Sequence, residues 1–295
     1  MTARAGDDIP TNASGWVDEV RIWWRKEARD LPWRSLRDPW PILVCEAMSQ
    51  QTQLGRVIPA WTRFLERFPD VESAASARSG EVVELWDGLG YNRRAVLLHR
   101  CACQVVEKHG GRIPDDLDQL LELPGVGPYT ARAVLAFAFE AHVGVLDTNV
   151  GRVLARRAGR PLTVRDAQCR ADALVPDGAA WEWNQALLDF GASICTKRSP
   201  ACSECVVADS CGWRGQGCDP ASGSAAVAAV QPRFDGSDRQ GRGRLVAALR
   251  IEPVPTEDLA AVMGWPDDPG RARRCAERVV GDGLAVRTGV GYVLP

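Results

Sequence analysis

The sequence lacks any apolar run long enough to cross a bilayer, which takes about 20 consecutive apolar residues in a helix. The first fourteen residues are polar, carry Asp7 and Asp8, and have no apolar core of the kind a secretion signal needs. Membrane and secreted classes are set aside, and a cytoplasmic protein is expected. A basic excess is missing too, since the formal net charge is −2. That excludes a globally basic nucleic-acid binder but leaves room for a local basic patch. What is there is a globular composition, 45% hydrophobic and 25% charged, in a chain of 295 residues. Such a chain has room for two domains.

Apolar positions recur at helical spacing through most of the chain. Helices are predicted over 15–30, 41–49, 53–68, 79–89, 93–109, 117–123 and 129–139. Pro69, Gly88 with Gly90, Gly110 with Gly111, and the run Pro124-Gly125-Val126-Gly127 separate them. A second helical group covers 148–158, 164–175 and 181–194. The organisation expected is a disordered segment 1–14, a helical domain 15–212, a Gly/Ser/Ala-rich linker 213–234 and a small tail 235–295. In the tail, helices over 239–250, 257–263 and 269–280 precede two short apolar runs around Thr288-Gly289-Val290, which read as a hairpin. Helix, helix, helix, hairpin is the order of a winged helix; a plain helical appendage is the simpler alternative. The fold class expected is therefore mainly α with a small winged-helix-like end.

Ten cysteines are present, six of them scattered (Cys45, Cys101, Cys103, Cys169, Cys218 and Cys275). The other four fall at Cys195-x6-Cys202-x2-Cys205-x5-Cys211. Without a secretion signal a disulfide framework is not expected. Four soft thiolates so close together select zinc or iron–sulfur. A zinc site made of paired short loops favours two C-x2-C units, and only one is present. The long first gap suits a wider cluster, and Lys197 and Arg198 in it can meet a phosphate backbone. A zinc ribbon or chance clustering stays open on spacing alone.

Three further features carry candidate chemistry. Leu123-Pro124-Gly125-Val126-Gly127 joins two predicted helices, and its glycines permit a tight hairpin whose amides can face a phosphate. It is otherwise an ordinary helix–helix turn. Glu46 stands on an otherwise apolar helix, where burying a carboxylate is costly; a solvated helix edge is its simpler place. Asp147 opens a predicted helix, where an N-cap role explains it without function.

Taken together, the hairpin, the downstream aspartate and the cysteine spacing resemble the helix-hairpin-helix DNA glycosylases of the endonuclease III superfamily. Glu46-Ala47-Met48-Ser49-Gln50-Gln51-Thr52, Gly88-Leu89-Gly90-Tyr91, Leu31-Pro32-Trp33-Arg34 and the stretch from Trp183 to Ala192 are similar to motifs of the adenine DNA glycosylases (MutY). The resemblance covers about residues 15–212 and implies a short form without the nudix-like C-terminal domain. It implies a [4Fe-4S] cluster on Cys195, Cys202, Cys205 and Cys211. It implies double-stranded DNA with adenine opposite 8-oxoguanine or guanine as the partner of a monomeric enzyme associated with the nucleoid. The adenine is flipped out of the stack. Glu46 acts as the acid on the departing base, its apolar neighbours Val44, Ala47 and Met48 suiting a raised pKa. Asp147 stabilises or traps the sugar cation, oriented with Asn149 and Tyr129. Trp33, Arg34 and Asp189 line the adenine pocket, with a core Trp33 and a helix-face Asp189 as the plainer readings. Gln51 and Tyr91, with Gln50 beside them, wedge into the duplex. Leu123, Gly125, Val126, Gly127 and Thr130, with Lys197 and Arg198, contact DNA. Bifunctional relatives carry a lysine that forms a Schiff base where this chain has Tyr129, so a monofunctional hydrolase is implied.

Two departures stand out. Ser49 replaces a bulky apolar residue, and Asn92 replaces an aromatic often found after Tyr91. A thymine- or uracil-mismatch glycosylase shares Glu46, Tyr129, Asp147 and the cysteines, but tends to have arginines in place of Gln50-Gln51 and lacks Gly-Leu-Gly-Tyr. A non-enzymatic iron–sulfur DNA-binding regulator has no need of Glu46 and Asp147 together.

Overall fold

The computed structural model describes residues 13–225, 227 and 233–295. The chain runs through α1 (Ala13–Glu27), a 3-10 turn at Pro32–Ser35, α2 (Pro39–Ser49), α3 (Leu54–Arg67), α4 (Val71–Ser76), α5 (Ser79–Leu85), α6 (Arg93–His109) and α7 (Leu117–Leu121). It continues through α8 (Pro128–Ala138), α9 (Thr148–Ala158), α10 (Val164–Ala173) and α11 (Ala180–Ser193), with 3-10 turns at Ala208–Ser210 and Pro220–Gly223. The tail is α12 (Asp238–Leu249), β1 (Val254–Pro255), α13 (Leu259–Met263), α14 (Pro269–Gly281), β2 (Val286–Arg287) and β3 (Gly291–Val293). Most of the stretch expected to be disordered, 1–14, lies outside the described residues, but from Ala13 onward the chain is already helical.

The described residues form two compact units. The first takes the chain up to Pro39 and resumes at Gly127; the second takes Trp40–Val126 and the tail. In the first unit α9 and α11 pack together, with α1 against α11 and α10 against α9. Trp16 and Trp183 meet edge-on at 5.1 Å in a core that also takes Val20, Val150, Leu154 and Phe190. Burying each such side chain contributes about 1.5–3 kcal/mol. The 3-10 turn at Pro220–Gly223 packs on α9, and Pro220, Ala221 and Ser224 are buried. The first part of the segment expected as linker is therefore built into this unit, because small residues can pack closely on a helix.

In the second unit α4 and α5 pack on α6, and Trp40, Phe64, Phe68 and Trp86 form an aromatic core. The indole N–H of Trp40 donates to the Phe68 carbonyl at 3.0 Å, and that of Trp61 to the Pro41 carbonyl at 2.8 Å. Helix α4 was not expected: six residues are too few to show a period, and its definition comes from Asp70, whose carboxylate caps the Ser73 amide. Helix α5 stops at Leu85 rather than 89, since Gly88 and Gly90 adopt φ of +77° and +67°. In the tail, α12, α13 and α14 pack on one another. The antiparallel sheet runs in the order β1-β3-β2, with Val254 opposite Tyr292 and Val286 opposite Val293. Strand β1 was not expected, its two residues being invisible to periodicity. With it the tail has the helix, strand, helix, helix, hairpin order of a winged helix.

Candidate functional site

Helix α2 is apolar on nearly every face and buried from Trp40 to Glu46. Glu46 is its only acidic residue and is 8% exposed, so the solvated-edge reading does not hold. Val44 and Met48 are fully buried on the same helix. Burial pushes the neighbouring Cys45 thiol well up, and the Glu46 charge adds to it.

Beyond α2 the chain turns through Gln50 and Gln51, and Arg94 of α6 organises that turn. Its buried guanidinium donates to the carbonyls of Ala47 (2.8 Å), Met48 (2.9 Å) and Gln50 (2.7 Å). It also donates to the Thr52 hydroxyl (3.0 Å) and to the carbonyls of Leu89 (3.2 Å) and Gly90 (3.1 Å). One side chain thus closes the end of α2 and ties two loops, 47–52 and 89–91, together. Burial pulls its pKa down to about 10, so it is still charged at neutral pH. The loops present Gln51, exposed at φ +56°, and Tyr91, 44% exposed at φ +45°. Left-handed backbone is uncommon for residues with a Cβ, and such strain gathers at functional sites. Arg94 was missed in the sequence. Its signal was an arginine in register with the buried positions Leu98, Cys101 and Val105 of α6.

The turn after α7 follows from its residues. The Val126 amide donates to the Leu123 carbonyl at 3.1 Å, with Pro124 second and Gly125 third at φ +80°, the sequence signature of a type II turn. A Cβ on Gly125 would sit 2.9 Å from that of Leu97. Leu123 and Val126 are buried, so only their backbone can face a ligand. In the first unit, Gly127 is the N-cap of α8 and Pro128 its first residue. Thr130 is buried and Tyr129 half-buried in that first turn.

At the start of α9 the Asp147 carboxylate accepts from the Val150 amide at 2.6 Å and from the Asn149 amide group at 2.8 Å. It does cap the helix. Burial nevertheless pushes its carboxyl above the ordinary value, against the pull of those hydrogen bonds. Asn149 in turn accepts from Arg152 at 2.9 Å, and Arg152 donates to the carbonyls of Gly191 (2.5 Å) and Cys195 (2.8 Å). A Cβ on Gly191 would lie 2.8 Å from that of Asn149, so glycine lets α11 approach α9 at this point.

Trp33 is buried in the 3-10 turn Pro32–Ser35. Arg34 donates to Gln185 at 2.9 Å and to Asp189 at 2.7 Å. Asp189, fully buried, also accepts from Arg29 at 2.7 Å and from the Trp24 indole at 2.9 Å. Burial raises its carboxyl, but the guanidiniums of Arg34 and Arg29 outweigh that and hold it below the ordinary range. The plainer reading of a helix-face charge does not hold; Asp189 is a buried hub behind Arg34.

The cysteine loop begins where α11 ends. Cys195, Cys202, Cys205 and Cys211 are all half-buried, and Cys195 and Cys205 lie against the core of the first unit. Burial pushes the Cys205 thiol up to about 11, and charge on Cys195, Cys211 and Cys202 adds to it, so the four sulfurs share one neighbourhood. Among the described residues no three His, Cys, Asp or Glu side chains converge closely enough for a single ion. Four soft thiolates gathered in one neighbourhood suit an iron–sulfur cluster. Bare thiolates repel one another in such a place, and a cationic iron core removes that repulsion. Buried Arg156 adds a second compensation, donating to the Cys195 sulfur at 3.3 Å, to the Thr196 carbonyl at 2.7 Å and to Asp219 at 2.7 Å. The Arg214 amide donates to the Cys211 sulfur at 3.4 Å. Lys197 and Arg198 are exposed on the first gap.

Comparison with known proteins bears on both parts. Residues 44–167 match the family described as HhH-GPD superfamily base excision DNA repair protein, and residues 195–211 match the iron–sulfur binding domain of endonuclease III. The chain carries a [4Fe-4S] cluster in that segment. A thermostable thymine-DNA glycosylase structure superposes with a TM-score of 0.65 at 30% identity, over 69% of this chain and 97% of that one. A trapped endonuclease III–DNA covalent intermediate gives 0.61 at 23% identity, over 68% and 95%, which speaks for the fold. Fold and cysteine loop together define a helix-hairpin-helix base-excision repair protein. The adenine DNA glycosylase of Mycolicibacterium smegmatis is 41% identical over 278 residues, 92% of this chain and 93% of that one. This chain belongs to the adenine DNA glycosylase family. Among the described residues no helix is long and apolar enough to cross a membrane.

Proposed function

We propose that this chain is a monofunctional DNA glycosylase that removes adenine mispaired with 8-oxoguanine or guanine. The observation that carries the reading is the state of Asp147: a carboxylate oriented by Asn149 and the Val150 amide, in surroundings that disfavour its charge. A group held against its own solvation is what stabilises a transient cation well. Glu46, on the apolar α2, supplies a proton to the departing base, so that adenine leaves neutral. Asp147 meets the positive sugar, and water completes the hydrolysis. Tyr129 offers no amine for a Schiff base, so borohydride should trap no covalent adduct with DNA.

The DNA contacts follow the same logic. The amides around Gly125 suit a phosphate, and so do, by themselves, the Gly127 amide and the first turn of α8. Lys197 and Arg198 suit another, with the four cysteines Cys195, Cys202, Cys205 and Cys211 holding the cluster that shapes their loop. Gln51 and Tyr91 suit insertion beside the base opposite adenine, with Gln50 next to them, and Trp33 and Arg34 suit the lining of the adenine pocket, backed by Asp189. The test is one excision assay on A:8-oxoguanine, A:G, T:G and U:G duplexes. Adenine release from the first two is expected; intact adenine in both overturns the reading. Release of thymine or uracil instead moves the chain to the mismatch-glycosylase alternative.

A further inference from the structure

The tail reaches the loop that carries Tyr91. Arg250, at the end of α12, has a side chain only 12% exposed. Its guanidinium donates twice to the Val83 carbonyl (3.1 and 3.0 Å), to the Asp87 carboxylate at 2.8 Å and to the Asn92 side-chain oxygen at 3.1 Å. Arg239, at the start of the same helix, donates to the Tyr91 hydroxyl at 3.4 Å. Asp282 after α14 pairs with Arg93 at 3.5 Å and with Arg242 of α12. The loop 87–92 is thus gripped on both sides of Tyr91 by one helix of the winged-helix module. The position where this chain departs from the family pattern, Asn92, is the one that supplies an acceptor to that helix.

We infer that the winged-helix tail is a positioning element for the Gly88–Asn92 loop, acting through Arg250 on Asn92 and through Arg239 on Tyr91, and so a determinant of which base is accepted opposite adenine. The bracing stands on the contacts alone; the effect on the opposite base rests on the adenine glycosylase reading. Arg250 is a positioning residue, since it works through Asn92 and touches no substrate. A neutral side chain there removes four donated hydrogen bonds and leaves the Asn92 oxygen unpaired, freeing the loop to open locally.

The experiment compares full-length wild type with Arg250→Met, Asn92→Leu and Asn92→Asp. Hydrogen exchange by mass spectrometry reads the loop, and excision from A:8-oxoguanine and A:G duplexes reads discrimination between opposite bases. In Arg250→Met and Asn92→Leu, amides of 86–92 should exchange roughly tenfold faster while those of α14 keep wild-type protection. The ratio of kcat/KM between the two duplexes should fall about fivefold, with the change carried mainly in KM. Asn92→Asp, which keeps an acceptor and adds a charge for Arg250, should behave as wild type on both readouts. Wild-type loop exchange and discrimination in both neutral variants overturn the inference. If Arg250→Met instead loses α14 protection, Asn92→Leu alone decides, because it leaves the Val83 and Asp87 contacts of Arg250 in place. If wild type releases no adenine at all, the functional reading fails, and loop exchange still tests the bracing.

Discussion

Asp147 and Asp189 lie in the same compact unit, and each buries a carboxyl, yet their surroundings push them in opposite directions. Asp189 faces two guanidiniums, Arg29 and Arg34, and an indole N–H, and it ionises more easily than an aspartate in water. Asp147 receives neutral donors, and burial makes it harder to ionise. The first arrangement holds a segment in place, because charge meets charge and nothing is left over for a ligand. The second keeps a carboxylate whose charge is only partly answered by the protein. Such a group costs stability, and the cost is recovered when a positive partner arrives. The same substitution, aspartate to asparagine, should therefore act differently at the two positions.

Asp147→Asn should give the largest effect of all, a loss of adenine excision of about a thousandfold or more, the size seen when an electrostatic transition-state contact is removed. Its effect on folding should have the other sign. Asparagine still caps α9, and the ionisation penalty disappears. Because the folded-state pKa of Asp147 lies above its ordinary 3.8, the native state holds the proton more tightly than the unfolded chain. The contribution of Asp147 to stability is then most favourable below 3.8, falls as pH rises through the folded value, and is flat above it. The variant lacks that fall, so its advantage in Tm should open between acid and neutral pH. A variant that is less stable than wild type at pH 7 would contradict the reading of Asp147.

Asp189→Asn should destabilise by about 3–5 kcal/mol at neutral pH, because two guanidiniums lose their buried counter-charge. The sign of its pH dependence is reversed. The Asp189 pKa is depressed, so its contribution is present above the ordinary 3.8 and is lost as pH falls through the folded value. Denaturant unfolding of wild type and variant should converge in acid. Arg94→Met in the other unit gives a control of similar kind, about 3 kcal/mol, since it removes the buried guanidinium from which six carbonyls accept. No carboxylate appears among those acceptors, so the cost of Arg94→Met should stay level between pH 7 and pH 4. A cost that shrinks in acid as it does for Asp189 would mean that Arg94 depends on an ionised partner.

This contrast also marks what the sequence could convey. Most helix positions, the tight turn at Leu123–Gly127, the close-set cysteines and the hairpin of the tail were legible, since each depends on local spacing or on glycine and proline at fixed offsets. The family motifs pointed to Glu46, Asp147 and Asp189 but not to what surrounds them. Arg94, Arg152, Arg156 and Arg250 were not legible as organising residues, because each takes at least one acceptor from a backbone carbonyl distant in sequence. An arginine bound to carbonyls leaves no partner motif to find. Asp219 was passed over for another reason: it stands in a Gly- and Ser-rich stretch whose composition suggests a linker, while its carboxylate pairs with buried Arg156.

The smallest effect expected belongs to the loop between the first two cysteines. Lys197 and Arg198 are exposed. If each meets one phosphate, Lys197→Ala and Arg198→Ala should each weaken duplex binding only a few-fold at moderate salt, and equally for matched and mismatched duplexes. The more telling quantity is the dependence on ionic strength. Each lost phosphate contact should lower the slope of log K against log salt by about 0.9, and the double variant by about twice that. The cluster must be intact for the comparison, which its visible absorbance reports. An unchanged slope in the double variant, with absorbance as in wild type, would remove this loop from the DNA interface. It would leave the cysteine loop with the other task its contacts describe, tying the Cys195 carbonyl and sulfur to Arg152 and Arg156 at the back of the Asp147 helix.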